Sequence, residues 1–384
     1  MTMTATTAID PTAPDNSVTP APSLGTPSER LDIKGLSHTA LTEWVLSRGH
    51  KRYRAEQLFR WLHEKCATSL KEMSNLPREL RNEDELCLGG LEVENVIESL
   101  DGTRKIILRT AAGERLETVV IPMGKGRWTQ CVSSQVGCKM GCDFCATAEM
   151  TRRKNLTVSE IIDQVYIARR LLGSETQLYR KRSPGSEPGK VDVANLVFMG
   201  MGEPLDNFQN LTTAIGLLLE PKGQAFGQRR ITVSTVGLVP RIHDFARTTP
   251  VNIAVSLNAT TDEQRNSLMP INRKFPIAVL METLRTVPLT ARRRIFVEYV
   301  MLGGVNDSNE DAIRLPKVLE GLKAKVNLIP FNPYPGSRYR SPEPDRILYF
   351  VDKLMKAGIQ TNVREPKGRD IQAACGMLDG SKPI

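Results

Sequence analysis

The sequence predicts an α/β protein, a partial (β/α)6 TIM-like barrel preceded by a small helical domain and a β-hairpin extension. Three observations carry this prediction. Beyond Trp128, six short apolar strands alternate with helical stretches, the pattern of βαβ units around a parallel sheet. Between about Leu31 and Leu91, apolar residues recur instead at three-to-four spacing. Glycines and small polar residues follow the strands at their carboxyl ends, where ligands bind in sheets of this kind.

Residues 1–29 are rich in Thr, Ala, Pro and Ser and hold few large apolar groups, so they are expected to be a disordered tail. Residues 30–92 form the helical accessory domain. Leu41, Trp44 and Val45, then Leu58, Trp61 and Leu62, mark its apolar faces, and Lys51, Arg52, Arg54 and Arg60 make it basic. Residues 93–127 read as the β extension, with Lys105–Arg109 and Glu117–Ile121 alternating around a turn at Asp101-Gly102. The barrel occupies 128–384. Its expected strands are Thr129–Ser133, Asn195–Met199, Arg230–Ser234, Asn252–Ser256, Arg294–Val300 and Lys325–Ile329. Thr157-x-x-Glu160 is a capping box that opens the first helix, and further helices are expected near 207–220, 238–246, 277–286, 309–321 and 344–356. The stretch Ser174–Lys190, with Arg180, Lys181, Arg182 and two prolines, reads as a loop insertion.

The chain has 384 residues and a formal charge of +9, a balance that favours a polyanionic partner such as RNA or DNA. Seven cysteines in a chain this long are not a disulfide framework and suit a reducing, cytoplasmic setting. No run of 18 apolar residues suggests a membrane span, and no apolar leader suggests secretion. A monomer is expected.

Three cysteines, Cys138, Cys142 and Cys145, are spaced C-x3-C-x2-C with Phe144 inside the last gap. A 4Fe–4S cube takes four ligands, so three thiolates leave one iron open for chemistry. A closed zinc site wants four ligands, and an incomplete zinc knuckle in a non-catalytic RNA-binding module is the competing reading. The spacing resembles the radical S-adenosylmethionine (SAM) superfamily, in which the open iron is chelated by SAM. Gly200-Met-Gly-Glu203 permits close backbone approach to a ligand, and the Glu203 carboxylate is placed to accept from a cofactor amino group. Ser234, Ser256, Asn258 and Asn332 end later strands with polar groups; each alone reads equally as a helix cap or turn residue. Cys131 and Cys375 read either as small buried hydrophobes or as nucleophiles, and Glu117 as a strand carboxylate that could act as a base.

Taken together, Cys131-Val-Ser-Ser-Gln-Val-Gly-Cys138, the cysteine triad, Gly200-Met-Gly-Glu-Pro204, Ser256-Leu-Asn258, Asn327-Leu-Ile-Pro-x-Asn-Pro333 and Ala373-Ala-Cys-Gly376 resemble the RlmN family from about Leu31 to Asp379. Those radical SAM enzymes methylate carbon 2 of an adenine in 23S rRNA and tRNA; a sister family methylates carbon 8. The resemblance implies a radical SAM barrel, with Cys138, Cys142 and Cys145 as cluster ligands. It implies SAM contacts at Gly202, Glu203, Ser234, Ser256, Leu257, Asn258 and Asn332. It implies a methyl-accepting Cys375, a Cys131 that closes a disulfide with it to release product, and Glu117 as proton acceptor. An electron donor such as flavodoxin is implied as a partner. Relatives place His where this chain has Asn258, and the basic tail of longer relatives is missing after Asp379. Lys367-Gly-Arg-Asp370 is expected to be a mobile approach to Cys375.

Overall fold

The computed structural model describes residues 30–182, 192–290 and 293–380, with the side chains of 174–182 left aside. The expected disordered tail at 1–29 and the end of the expected loop insertion lie outside the described residues.

Helices α1 (His38–Ser47) and α2 (Arg52–Phe59) open the described chain. Leu41, Val45, Leu58, Phe59 and Leu62 are fully or almost fully buried, as their spacing predicts. They share one continuous apolar core with the barrel rather than forming a separate one. Two polar contacts fix the docking: Lys34 Nζ meets Asp163 Oδ1 at 3.0 Å, and His63 Nδ1 lies 2.7 Å from the Tyr166 hydroxyl.

Four strands follow, β1 (Leu91–Glu98), β2 (Arg104–Thr110), β3 (Arg115–Pro122) and β4 (Arg127–Cys131), each antiparallel to the one before. The turn between β1 and β2 falls at Asp101-Gly102, with Gly102 at φ +81°. The extension is a run of antiparallel strands leading into the barrel. It continues without a break into the barrel sheet.

The barrel alternates α3 (Val158–Arg182), β5 (Asp192–Phe198), α4 (Phe208–Leu219), β6 (Ile231–Thr235), α5 (Val239–Thr248), β7 (Asn252–Ser256), α6 (Asp262–Leu268), α7 (Ile277–Thr286), β8 (Ile295–Met301), α8 (Asn309–Val318), β9 (Ala324–Pro330), α9 (Pro344–Lys356) and β10 (Gln360–Val363). The ten strands stand in chain order, β1 to β10, with β4 to β10 parallel. Thr157 caps α3 reciprocally, accepting from Glu160 N at 3.2 Å while Glu160 Oε2 accepts from Thr157 N at 2.8 Å.

Three sequence expectations change. Helix α3 runs on to Arg182, through the first part of the expected loop insertion. The short helix α6 and the strand β10 were not foreseen. β10 is a polar edge strand, mostly exposed, so it carries no apolar signal.

Candidate active site

Two cavities lie along the parallel strands: the inner one at their carboxyl ends, where α/β sheets place ligands, and an outer one that runs from there down to the amino end of β6 at Arg229 and Arg230. The inner chamber has a volume of about 130 Å³ and is lined by Cys142 and Cys145 on one side and by Gly202, Glu203, Ser234, Ser256, Asn258 and Glu298 around it. The outer cavity has a volume of about 560 Å³ and is lined by Cys131, Arg229, Arg230, Arg364 and Lys367 among apolar groups. Cys375 lines both.

The cysteine loop depends on local glycines. Gly137 sits at φ +67°, and a Cβ there would lie 2.2 Å from the Arg152 carbonyl oxygen, so only glycine fits. Phe144 buries its ring against Met269, Leu302 and Phe331, which pins the loop between its last two cysteines. Burial pushes the Cys138 thiol up to about 12, and Cys142 well above its ordinary value, with the neighbouring thiols adding repulsion. Cys145 is raised as well, by burial. Such thiols ionise readily only when a metal compensates the charge. Among the described residues, no three Cys, His, Asp or Glu groups converge tightly enough to hold one metal ion.

Glu203 is buried at the head of a short turn of helix. Its Oε1 accepts from Leu205 N at 3.0 Å and its Oε2 from Val236 N at 2.9 Å, so the carboxylate already binds the strand ends. Burial raises its pKa to about 7. Gly202, at φ +97°, has no room for a side chain, since a Cβ would lie 2.5 Å from Gln135 Cβ. Asn258 also has φ +56°, and its Oδ1 accepts from Val300 N at 2.8 Å, so its side chain serves the fold while its residue lines the chamber. Leu257 is fully buried and lines neither cavity. The structure places Asn332 on the outer cavity, where its Oδ1 accepts from Arg369 Nε at 2.8 Å.

Beneath the strand ends lies Arg265, fully buried. Its guanidinium donates to the carbonyls of Leu257, Val236 and Ser256 at 3.0, 2.7 and 3.1 Å and to Asn272 Oδ1 at 3.0 Å. It satisfies carbonyls that the ends of β6 and β7 leave without ladder partners.

Cys375 is accessible because it faces the cavities, yet it sits deep enough that burial pushes its thiol up to about 11. Its segment is anchored on both sides. Ala146 N donates to Gly376 O at 2.9 Å and Thr147 Oγ1 to Leu378 O at 2.5 Å, tying it to the cysteine loop. Gly368 N donates to Asp101 Oδ2 at 3.0 Å, and Asp370 accepts from Ser99 Oγ at 2.5 Å and Leu100 N at 3.0 Å. The approach that the sequence marks as mobile is thus laced to the β1–β2 turn. Cys131, at the end of β4, is free and pushed up to about 12 by burial. Glu117 is fully buried, pairs with Lys105 at 3.2 Å and lines neither cavity. Burial raises its pKa and Lys105 opposes the rise.

Sequence reasoning missed Glu298, Met199 and Arg364. Glu298 had a readable signal, a charged residue in the middle of the apolar strand Phe-Val-Glu-Tyr-Val. Arg364 follows a strand that was not foreseen.

Residues 31–85 match the family model described as the ribosomal RNA large subunit methyltransferase N-terminal domain. The chain is 46% identical over 352 residues to the dual-specificity RNA methyltransferase RlmN of Geobacter sulfurreducens, covering 91% of this chain and 92% of that protein. It is likewise 46% identical to the protein of the same name from Anaeromyxobacter sp. strain Fw109-5, covering 92% and 91%. Among solved structures, a radical SAM methyltransferase from Sphaerobacter thermophilus superposes with a TM-score of 0.82 at 40% identity, covering 91% of this chain and all of the other.

Proposed function

The chain belongs to the RlmN family of radical SAM RNA methyltransferases, and from that membership we propose that it methylates carbon 2 of an adenine in 23S rRNA and in tRNA. The observation that carries the reading is the position of Cys375 in the wall shared by the two cavities. A thiol there reaches a methyl donor on the inner side and a nucleobase on the outer side.

Cys138, Cys142 and Cys145 would hold the 4Fe–4S cluster, with Gly202, Glu203, Ser234, Ser256 and Asn258 around SAM; contacts from Leu257 and Asn332 require the backbone or a shift. When bound, cluster and SAM supply the one-electron chemistry that an unreactive aromatic carbon requires. Cys375 accepts and carries the methyl group. Cys131, on the outer cavity, attacks the Cys375 sulfur while that sulfur is joined through the carried carbon to the base; the S–S bond forms as the S–C bond breaks, and the released carbon keeps the electron pair and takes a proton to become the methyl group. Glu117 takes the ring proton; it lies behind the Cys375 segment, to which Lys105 Nζ is linked through Gln372 O at 3.5 Å, so it acts when that segment shifts. Arg229, Arg230, Arg364 and Lys367 form a basic mouth for RNA phosphates around an unstacked base. The residue ranges 30–92, 93–127 and 128–384 are proposed as accessory, extension and barrel units. A single-electron donor such as flavodoxin and a monomeric state complete the proposal. No described helix is long and apolar enough to cross a membrane.

The test is anaerobic cluster reconstitution followed by incubation with unmodified RNA and methyl-labelled SAM, with nucleosides analysed by mass spectrometry. Label on carbon 2 that disappears in Cys375→Ala supports the proposal. Label on carbon 8, or full turnover without Cys375, overturns it.

A further inference from the structure

Glu298 is the one carboxylate of the inner chamber that the proposed chemistry does not use. It projects from the middle of β8 and retains 3% of its surface. In the sheet register Ser256, Glu298, Asn327 and Asn362 are successive partners across β7, β8, β9 and β10, so their side chains form one polar rung on the same face. Ser256 and Glu298 both line the chamber. The rung is hydrogen-bonded along its length: Asn362 Nδ2 donates to Asn327 Oδ1 at 3.3 Å, and Asn327 Nδ2 to Glu298 Oε1 at 2.8 Å. Arg364 Nη2 stands 3.6 Å from the same Oε1. Among the described residues, Glu298 Oε2 has no hydrogen-bond partner, and it is closed off from solvent.

A buried carboxylate oxygen left unpaired costs about 1–3 kcal/mol or more. Both oxygens of the other chamber carboxylate, Glu203, by contrast already accept from backbone amides. The terminal torsion of a glutamate is broad, so a small turn presents the open oxygen to the chamber.

The position selects the kind of donor. Cys142 and Cys145 stand in the loop that follows β4, while Glu298 is on β8, four strands further round the sheet. A ligand held at the cysteine loop by its amino-acid end must extend its nucleoside end towards β7 and β8. A nucleoside offers a carboxylate its ribose hydroxyls and its adenine amino group, and of the two the ribose lies nearer the amino-acid end, so it is the group assigned to a carboxylate beside Ser256.

We infer that Glu298 is a cofactor-binding residue, accepting a hydrogen bond from a ribose hydroxyl of SAM while its other oxygen, through Arg364, anchors the root of the segment that carries Cys375. The inference rests on SAM occupying the inner chamber.

The test uses the reconstituted holoenzyme and measures equilibrium binding of S-adenosylhomocysteine and of its 2′-deoxy and 3′-deoxy analogues, none of which carries a transferable methyl. Wild type is expected to bind one deoxy analogue about tenfold more weakly than the parent, the loss of one hydrogen bond to a charged group. Glu298→Gln is expected to bind the parent about tenfold more weakly and to discriminate against that analogue by less than about twofold. Equal wild-type affinity for all three ligands overturns the inference without needing the variant to fold. Undiminished discrimination in a folded E298Q enzyme overturns it too. Failure of wild type to bind S-adenosylhomocysteine at all overturns the SAM assignment of the chamber together with the inference.

Discussion

Lys105 and Glu117 face each other at 3.2 Å in the sheet interior, with 6% and none of their side-chain surfaces exposed. Such a pair is expensive to break from one side, because the remaining charge is stranded. Lys105→Met is expected to destabilise the protein by about 3–5 kcal/mol in urea unfolding, and the added Glu117→Gln to restore much of that loss. A double variant as unstable as the single one refutes the pairing as the cause.

The proposed mechanism gives Cys131 and Cys375 separable tasks. Cys375→Ala is expected to abolish methyl transfer, since among the described residues it is the one thiol that lines both cavities. Cys131→Ala leaves the carrier sulfur without its attacker. It is expected to accumulate a covalent protein–RNA adduct, seen as a slow-migrating band on a denaturing gel and absent in the C131A/C375A double variant.

His63 ties the helical region to the barrel in its neutral form. Burial lowers its pKa from 6.5 to about 3, with Lys34 and His38 adding repulsion. A histidine depressed in the fold binds fewer protons than the unfolded chain, so its contribution is complete above pH 6.5 and is lost as pH falls towards 3. Between pH 7 and pH 5 the loss is about 2 kcal/mol. Thermal unfolding against pH is expected to show this fall, and His63→Gln to flatten it.

Arg229 and Arg230 are exposed at the outer cavity. If they neutralise phosphates, replacing both with Ala lowers the slope of log affinity against log salt by roughly 1.5–2, whatever the RNA sequence. An unchanged slope places RNA elsewhere.

Most of the barrel was legible because its strands are apolar runs bounded by turn residues and its helices carry three-to-four apolar spacing. Asn252–Ser256 and Ile277–Thr286 match their expected limits for that reason. The β10 edge strand was illegible, since a polar strand owes its state to its neighbour β9 and not to its own residues. At the site, Gly202, Glu203, Ser234, Ser256 and the cysteines could be found from glycine placement and spacing. The sequence cannot tell that Glu203 spends both oxygens on backbone, or that Asn332 falls on the outer side, because both depend on how distant strand ends meet.

The open sheet has two free margins, β1 and β10, and they are joined by a lacing: the stretch after β10 reaches the β1–β2 turn through Gly368 and Asp370. A fully closed ring of strands would have to unzip to admit a folded polynucleotide. Here a handful of side-chain ties can be undone while every ladder stays intact, so a guest far larger than the vestibule can be seated at the cost of a few hydrogen bonds.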